Sequence, residues 1–219
     1  MAAKLIHEII PVGWLQCNCH VVGDPDTHEA MVIDPGDEVD RILDVIRRHG
    51  LTVKAVVNTH AHIDHVGGLR KMKEATGAPV QMHADDLELY QHLDVQAAMI
   101  GMPLPDKTDV DSFLRDGDTV RWGAYSAQVI HTPGHSRGSL CLHVPETFAG
   151  GEGGGKLFAG DTLFAGSIGR TDLWGGSFEQ ILRSIHTKLL ALPEATTVYP
   201  GHGPPTTIAQ ERETNPFLR

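Results

Sequence analysis

The chain has 219 residues, of which 41% are hydrophobic and 21% charged, ordinary proportions for a folded globular protein with ample sequence for a core. A net charge of −10 argues against nucleic acid as the main partner, because phosphate binding needs clustered Lys and Arg. No stretch approaches the roughly 20 apolar residues of a membrane span, and the apolar run near the start is too short for a secretion signal, so no membrane role and a cytoplasmic location are expected.

Short β-branched runs over 7–12, 20–22 and 30–34 read as strands, the last closed by Asp34-Pro35-Gly36-Asp37. VDRILDVIRRHG follows, with Val39, Ile42, Leu43 and Ile46 at helical spacing and Gly50 as its stop. Residues 53–58 are apolar on both faces, as in a covered central strand. The pattern then predicts a helix over 69–76 ended by Gly77, a strand at PVQMH and a helix over 84–92. Residues 93–118, with MPLP and several aspartates, read as a long loop over a site. Two strands meet near Gly123 in 119–130, and 139–144 is another. ETFAGGEGGGKL reads as a hairpin connection, since it lacks the GK[ST] ending of a phosphate loop. A strand over 157–163 is interrupted at Gly160-Asp161. An amphipathic helix over 178–192 carries Ile181, Leu182, Ile185, Leu189 and Leu190 on one face. A strand at 197–199 and a short helix over 206–213 complete the chain. No internal repeat or interdomain linker stands out, so one domain over 1–219 is expected. The three cysteines read as small buried hydrophobes, and their odd, small number suits a reducing compartment.

The 14 histidines are the unusual feature. In THAHIDHVGG, His60 and His62 stand two apart just past a strand, so in extended chain their rings point to one side. Asp64 and His65 follow where a helix begins. Singly, Asp64 reads as a helix cap and His65 as polar surface. Together, three imidazoles and a carboxylate within six positions are the ligand types of zinc, iron or manganese. Three distant segments repeat the pattern of an apolar strand running into a Gly-rich turn. HTPGHSRGS delivers His135, LFAGDTLF delivers Asp161 and VYPGHGPP delivers His202. A lone carboxylate among apolar residues, as at Asp161, is costly unless it is paired or bound to a cation. Seven candidates exceed one tetrahedral ion and suit two metals sharing a carboxylate and a bridging water. His7, His20, His28, His49, His83, His92, His143 and His186 lack such a setting. His131, four residues before His135, is placed to pack beneath the site.

These ordered motifs resemble the metallo-β-lactamase-fold hydrolase superfamily over nearly the whole chain. The resemblance implies an α+β fold, a four-layer αββα sandwich with the site at one edge between the sheets. The chain looks most like short, single-domain glyoxalase II-like enzymes. By that resemblance His60, His62 and His135 hold one metal, Asp64, His65 and His202 the second, and Asp161 bridges. The implied cofactors are two divalent ions, zinc first, with iron or manganese as alternatives. The implied reaction is hydrolysis of a small-molecule thioester such as S-D-lactoylglutathione by hydroxide held between the ions. Asp64 and Asp161 then serve catalysis, and Arg170 is a candidate for meeting a substrate carboxylate. Enzymes of this fold that open β-lactams generally lack the bridging aspartate, so Asp161 weighs against that activity. GSIGRTDLWGGS also matches the short glyoxalase II-like group, except that Trp174 stands where proline is common. Full-length glyoxalase II carries a helical C-terminal region that grips glutathione. Here the chain stops at Arg219, shortly after His202, and those basic and aromatic side chains have no alignable counterpart. A mononuclear-iron persulfide dioxygenase of the same fold is the alternative, with His60, His135 and Asp161 as its ligands and Arg170 to Asp172 as a shared RTD.

Overall fold

The structure is a computed structural model and describes residues 5–145 and 154–219. Most of the expected Gly-rich connection therefore lies outside the described residues.

The first half contains β1 (Ile6–Val12), β2 (Cys17–Gly23), β3 (Glu29–Ile33), α1 (Val39–Arg48), β4 (Thr52–Val57), α2 (Ile63–Val66), α3 (Leu69–Thr76) and β5 (Val80–His83). A 3-10 turn (Ala84–Asp86) leads to α4 (Leu87–Gln91), α5 (Leu93–Ile100) and β6 (Ser112–Leu114). Its six strands form one sheet in the order β1-β2-β3-β4-β5-β6. The β1-β2-β3 part is antiparallel, while β3 to β6 run parallel. Parallel neighbours need crossovers, which α1 and the α2-α3 segment supply.

The second half contains β7 (Thr119–Trp122), β8 (Tyr125–His131), β9 (Leu140–Val144), β10 (Lys156–Gly160), β11 (Leu163–Phe164) and β12 (Ser167–Ile168). It continues with α6 (Phe178–Ser184), a π-helical turn (Ile185–Leu189), β13 (Thr197–Pro200), β14 (Thr206–Thr207) and α7 (Ile208–Thr214). The second sheet is ordered β14-β13-β10-β9-β8-β7, and β11-β12 form a separate small hairpin.

Period-two side-chain direction turns these strands into four layers. On β2 and β3, Cys17, Cys19, Val21, Ala30 and Val32 face the helices, joining Ile42 and Ile46 of α1 and Leu69 and Met72 of α3. Their neighbours Val22, Met31 and Ile33 face the other sheet, against Ala127, Val129, Leu140, Leu142 and Phe158. The second sheet's far face, with Cys141, Leu157, Ala159 and Val198, packs on Ile181, Ile185, Leu189 and Ile208. Three cores between four layers are the expected αββα sandwich. The three cysteines are buried in these layers and free.

Residues 93–118 differ from the expected long loop. They begin with α5, which turns its apolar residues both inward, as Leu93 and Ala97, and outward, as Val95, Met99 and Ile100. With apolar residues on both sides, LDVQAAMI has no amphipathic period to reveal it. Residues 112–114 then add an edge strand to the first sheet. The strand expected over 157–163 ends at Gly160, where φ is +47° and an added Cβ would meet Thr59 Oγ1 at 2.5 Å.

His7 and His20 lie between the sheets with ring nitrogens 3.1 Å apart, and His7 stands edge-on to Tyr199 at 4.6 Å. Burial, then Lys156, lowers His7 to about 3, and burial holds His20 well below the usual imidazole value. The unfolded chain therefore binds more protons between pH 6.5 and 3, so stability is full above pH 6.5 and drains away below it. The loss expected from His7 alone is about 2 kcal/mol by pH 5. Urea midpoints of chelated protein at pH 7.5 and 5 measure it, and His7→Phe should show a smaller drop between the two.

Candidate metal centre

The seven side chains singled out from the sequence converge where the strand ends of the two sheets meet. His60 and His62 come from the segment after β4. Asp64 and His65 sit in α2, which His62 precedes in extended conformation. His135 follows β8, Asp161 follows β10 and His202 follows β13. Donor atoms gather into three overlapping groups: His60, His62 and His135; Asp64, His65 and His202; and Asp161 with His60 and His65.

Hydrogen bonds assign the tautomers. His135 Nδ1 donates to the Arg170 carbonyl at 2.8 Å and His202 Nδ1 to the Leu15 carbonyl at 3.0 Å. His65 Nδ1 meets Asp34 Oδ2 at 3.0 Å. Thr59 Oγ1 gives its proton to Asp34 Oδ2 at 2.6 Å, so His60 Nδ1 donates to that hydroxyl at 3.1 Å. In the neutral rings all four Nε2 atoms are then left with bare lone pairs. Yet His60 Nε2 and His135 Nε2 are 3.2 Å apart, and His65 Nε2 and His202 Nε2 are 3.3 Å apart. His62 Nδ1 adds a third approach, 2.8 Å from His135 Nε2. Bare lone pairs at this range repel one another unless a cation or a proton lies between them. Between the two groups lies Asp161, whose Oδ1 is buried without a hydrogen bond and 3.5 Å from His65 Nε2. Its Oδ2 is 3.6 Å from His135 Nε2 and 3.7 Å from His202 Nε2. An orphaned carboxylate oxygen facing bare imidazoles fits a divalent metal site.

The electrostatics agree. Burial pushes His60 well below the usual imidazole value and His62 to about 3, so both rings are neutral at pH 7. Burial opposes charge on His65 too, but its surroundings raise it well above the usual value. Burial pushes the neighbouring Cys17 thiol up to about 12, which keeps it neutral and leaves Asp64, Asp161 and Asp34 to produce that rise. His202 is also raised against its burial, by its 3.1 Å contact with Asp64 and by Asp161. The centre therefore favours positive charge at the Asp64 and His65 end even without an ion.

Two glycines let the backbone close on the site. A Cβ on Gly36 would sit 1.7 Å from the Asp64 carbonyl oxygen. One on Gly201 would sit 2.2 Å from Asp161 Oδ1 and 2.7 Å from His65 Cε1. Gly201→Ala is therefore expected to weaken metal binding about tenfold or more by displacing both side chains, as titration against a chromophoric chelator would show.

Three supporting residues escaped the sequence reading. Asp34, read only as a strand-closing turn, is fully buried at φ +50° and also accepts from Thr59 N at 2.7 Å. The cost of burying a carboxylate, which flagged Asp161, applies equally to Asp34 at the end of an apolar strand. Asp86, read as part of a helix, accepts from Ala61 N at 3.0 Å, Ser136 Oγ at 2.8 Å and Gly138 N at 2.6 Å. It ties the His60 and His135 segments together, and its burial raises its carboxyl. Gln96 of α5 had no signal. His131, expected beneath the site, reaches the His135 turn through a 2.9 Å contact with the Arg137 carbonyl and stacks on His83.

A cavity of about 520 Å³ opens over the centre, with His62, Asp64, His135, Asp161 and His202 on its floor. Arg170 lies on its wall, and its guanidinium forks onto Asp172 with two contacts of 2.8 Å. No helix among the described residues is long and apolar enough to cross a membrane.

Residues 12–202 match the family model of the metallo-beta-lactamase superfamily. The hydroxyacylglutathione hydrolase GloC of Haemophilus influenzae is 36% identical over 218 residues, covering 96% of this chain and 97% of that protein. The crystal structure of the B3 metallo-beta-lactamase BLEG-1 superposes with a TM-score of 0.87 at 37% identity, covering 97% and 99% of the two chains. TTHA1623, solved in a di-iron-bound form, superposes with a TM-score of 0.83 at 38% identity, covering 96% of this chain and all of that one. With motif order, layer order and converging ligand set in agreement, the chain belongs to the metallo-beta-lactamase superfamily.

Proposed function

We propose that the chain hydrolyses small-molecule thioesters, with S-D-lactoylglutathione as the reference substrate, at a centre of two divalent ions. The observation that carries this reading is the pairing of bare imidazole nitrogens in two groups with Asp161 between them. By this reading His60, His62 and His135 hold one ion, Asp64, His65 and His202 the other, and Asp161 reaches both. Zinc suits the imidazole and carboxylate donors, and so does iron, which the similar TTHA1623 holds as a pair. When bound, such ions acidify water and polarise a carbonyl. The protein's own part is orientation. Asp34 fixes the rings of His60 and His65, and the Arg170 and Leu15 carbonyls fix His135 and His202. The thioester choice is supported by the full-length similarity to GloC and by chemistry: a thiolate leaves without strong general-acid help, and among the described residues no uncommitted carboxyl group lies on the cavity floor. Arg170 is the wall cation available to a substrate carboxylate, which must first displace Asp172.

The test is metal analysis of protein from unsupplemented cells, with steady-state rates on S-D-lactoylglutathione, other thioesters, a β-lactam and glutathione persulfide. Two ions per chain and thioester turnover are expected, with the β-lactam slow. One iron per chain with oxygen uptake on persulfide would replace the hydrolase reading by the dioxygenase one.

A further inference from the structure

The cavity above the ligands is apolar on one side. Val95, Met99 and Ile100 of α5, Leu15 from the β1-β2 turn and Trp174 all line it. They remain substantially open to solvent, Met99 being 69% exposed. A soluble chain seldom gathers this much large apolar surface around a polar floor unless something covers it. The wall is also anchored. Gln96 donates to the Ala61 carbonyl at 3.2 Å and the Leu89 carbonyl at 3.0 Å, and accepts from Ile63 N at 2.9 Å. This fastens α5 to the segment that carries four of the seven ligands. The ionic complement is meagre. Arg170 is the only Lys or Arg among the described lining residues, and Asp172 already occupies it. His92 commits Nδ1 to the Glu88 carbonyl and lies against Trp174 at 5.0 Å.

We propose that this wall receives an apolar acyl chain, so that the preferred substrates are medium-chain acyl thioesters of an uncharged thiol rather than thioesters of a doubly carboxylated thiol. The inference rests on the thioester reading above and adds the substrate class. In the reaction, the oxygen of water joins the acyl carbon and the C–S bond breaks with its electron pair on sulfur. Of the two water protons, one goes to the thiolate and the other to solvent, giving a carboxylate and a thiol. Each methylene moved from water to the wall before the transition state raises kcat/KM about fourfold.

The experiment uses the metal-loaded full chain and the S-acyl-N-acetylcysteamine series from acetyl to octanoyl, beside S-D-lactoylglutathione. The expected result is a rise in kcat/KM of about fourfold per methylene through hexanoyl, with hexanoyl above S-D-lactoylglutathione. In the double variant V95S/M99S, both sites being solvent-exposed, the octanoyl-to-acetyl ratio should fall about tenfold with metal content unchanged. A flat series, S-D-lactoylglutathione ahead of hexanoyl, or an unaltered ratio in the variant would overturn the inference while leaving thioester hydrolysis standing. No turnover of any thioester would remove that activity itself and this inference with it.

Discussion

Asp161→Asn is expected to lower kcat/KM for thioester hydrolysis about a thousandfold, equivalent to about 4 kcal/mol of lost transition-state stabilisation, and to reduce bound metal from two ions towards one. The carboxylate reaches both groups of imidazoles: Oδ1 approaches His65, whereas Oδ2 approaches His135 and His202. Asparagine has nearly the same shape but replaces one oxygen with an NH2 group. Its protons would point at one of the cations and repel it. The fold should survive, because Oδ1 makes no hydrogen bond that the substitution could break. Metal content by mass spectrometry, circular dichroism and steady-state rates on one preparation separate loss of an ion from loss of structure. Wild-type metal content together with wild-type rates would show that Asp161 bridges nothing.

Asp34→Ala is expected to cost about 3 kcal/mol of stability and to weaken metal binding 10- to 100-fold at roughly neutral pH, although Asp34 is not among the seven donors. Its carboxylate takes protons from Thr59 N, Thr59 Oγ1 and His65 Nδ1, all buried. Alanine would leave these donors unpaired. It would also release the tautomers of His60 and His65, one ligand from each proposed ion site. Chemical denaturation of the chelated protein isolates the stability term. Metal titration of the folded variant isolates the affinity term. Unchanged affinity at reduced stability would mean that Asp34 serves the fold alone.

The candidate donors that gather in the fold were legible in the sequence because they stand out from their surroundings. Imidazoles and carboxylates at the ends of apolar strands have few structural reasons to be there, and Gly-rich turns beside them signal close backbone approach. Strand and helix periods marked the elements, while the four-layer order was legible only through the family resemblance that the ordered motifs carry. The supporting residues were harder to see. Asp86 reads as one more polar residue near a helix start, and only the folded chain places it against Ala61, Ser136 and Gly138, which are 25 to 52 positions away. Gln96 lies in a stretch with no period at all, yet its contacts fasten α5 to the metal-bearing segment.

The sequence by itself marked out most strands and helices and the seven candidate donors, because each depends on local pattern and residue type, and its ordered motifs carried the family resemblance that implies the layer order. Tertiary structure decided how those donors pair, which nitrogen of each ring faces its neighbours and which apolar wall stands over the centre. Those features depend on distances between segments far apart along the chain. His60 and His135 are 75 positions apart and 3.2 Å from nitrogen to nitrogen, and only packing of the two sheets brings them there.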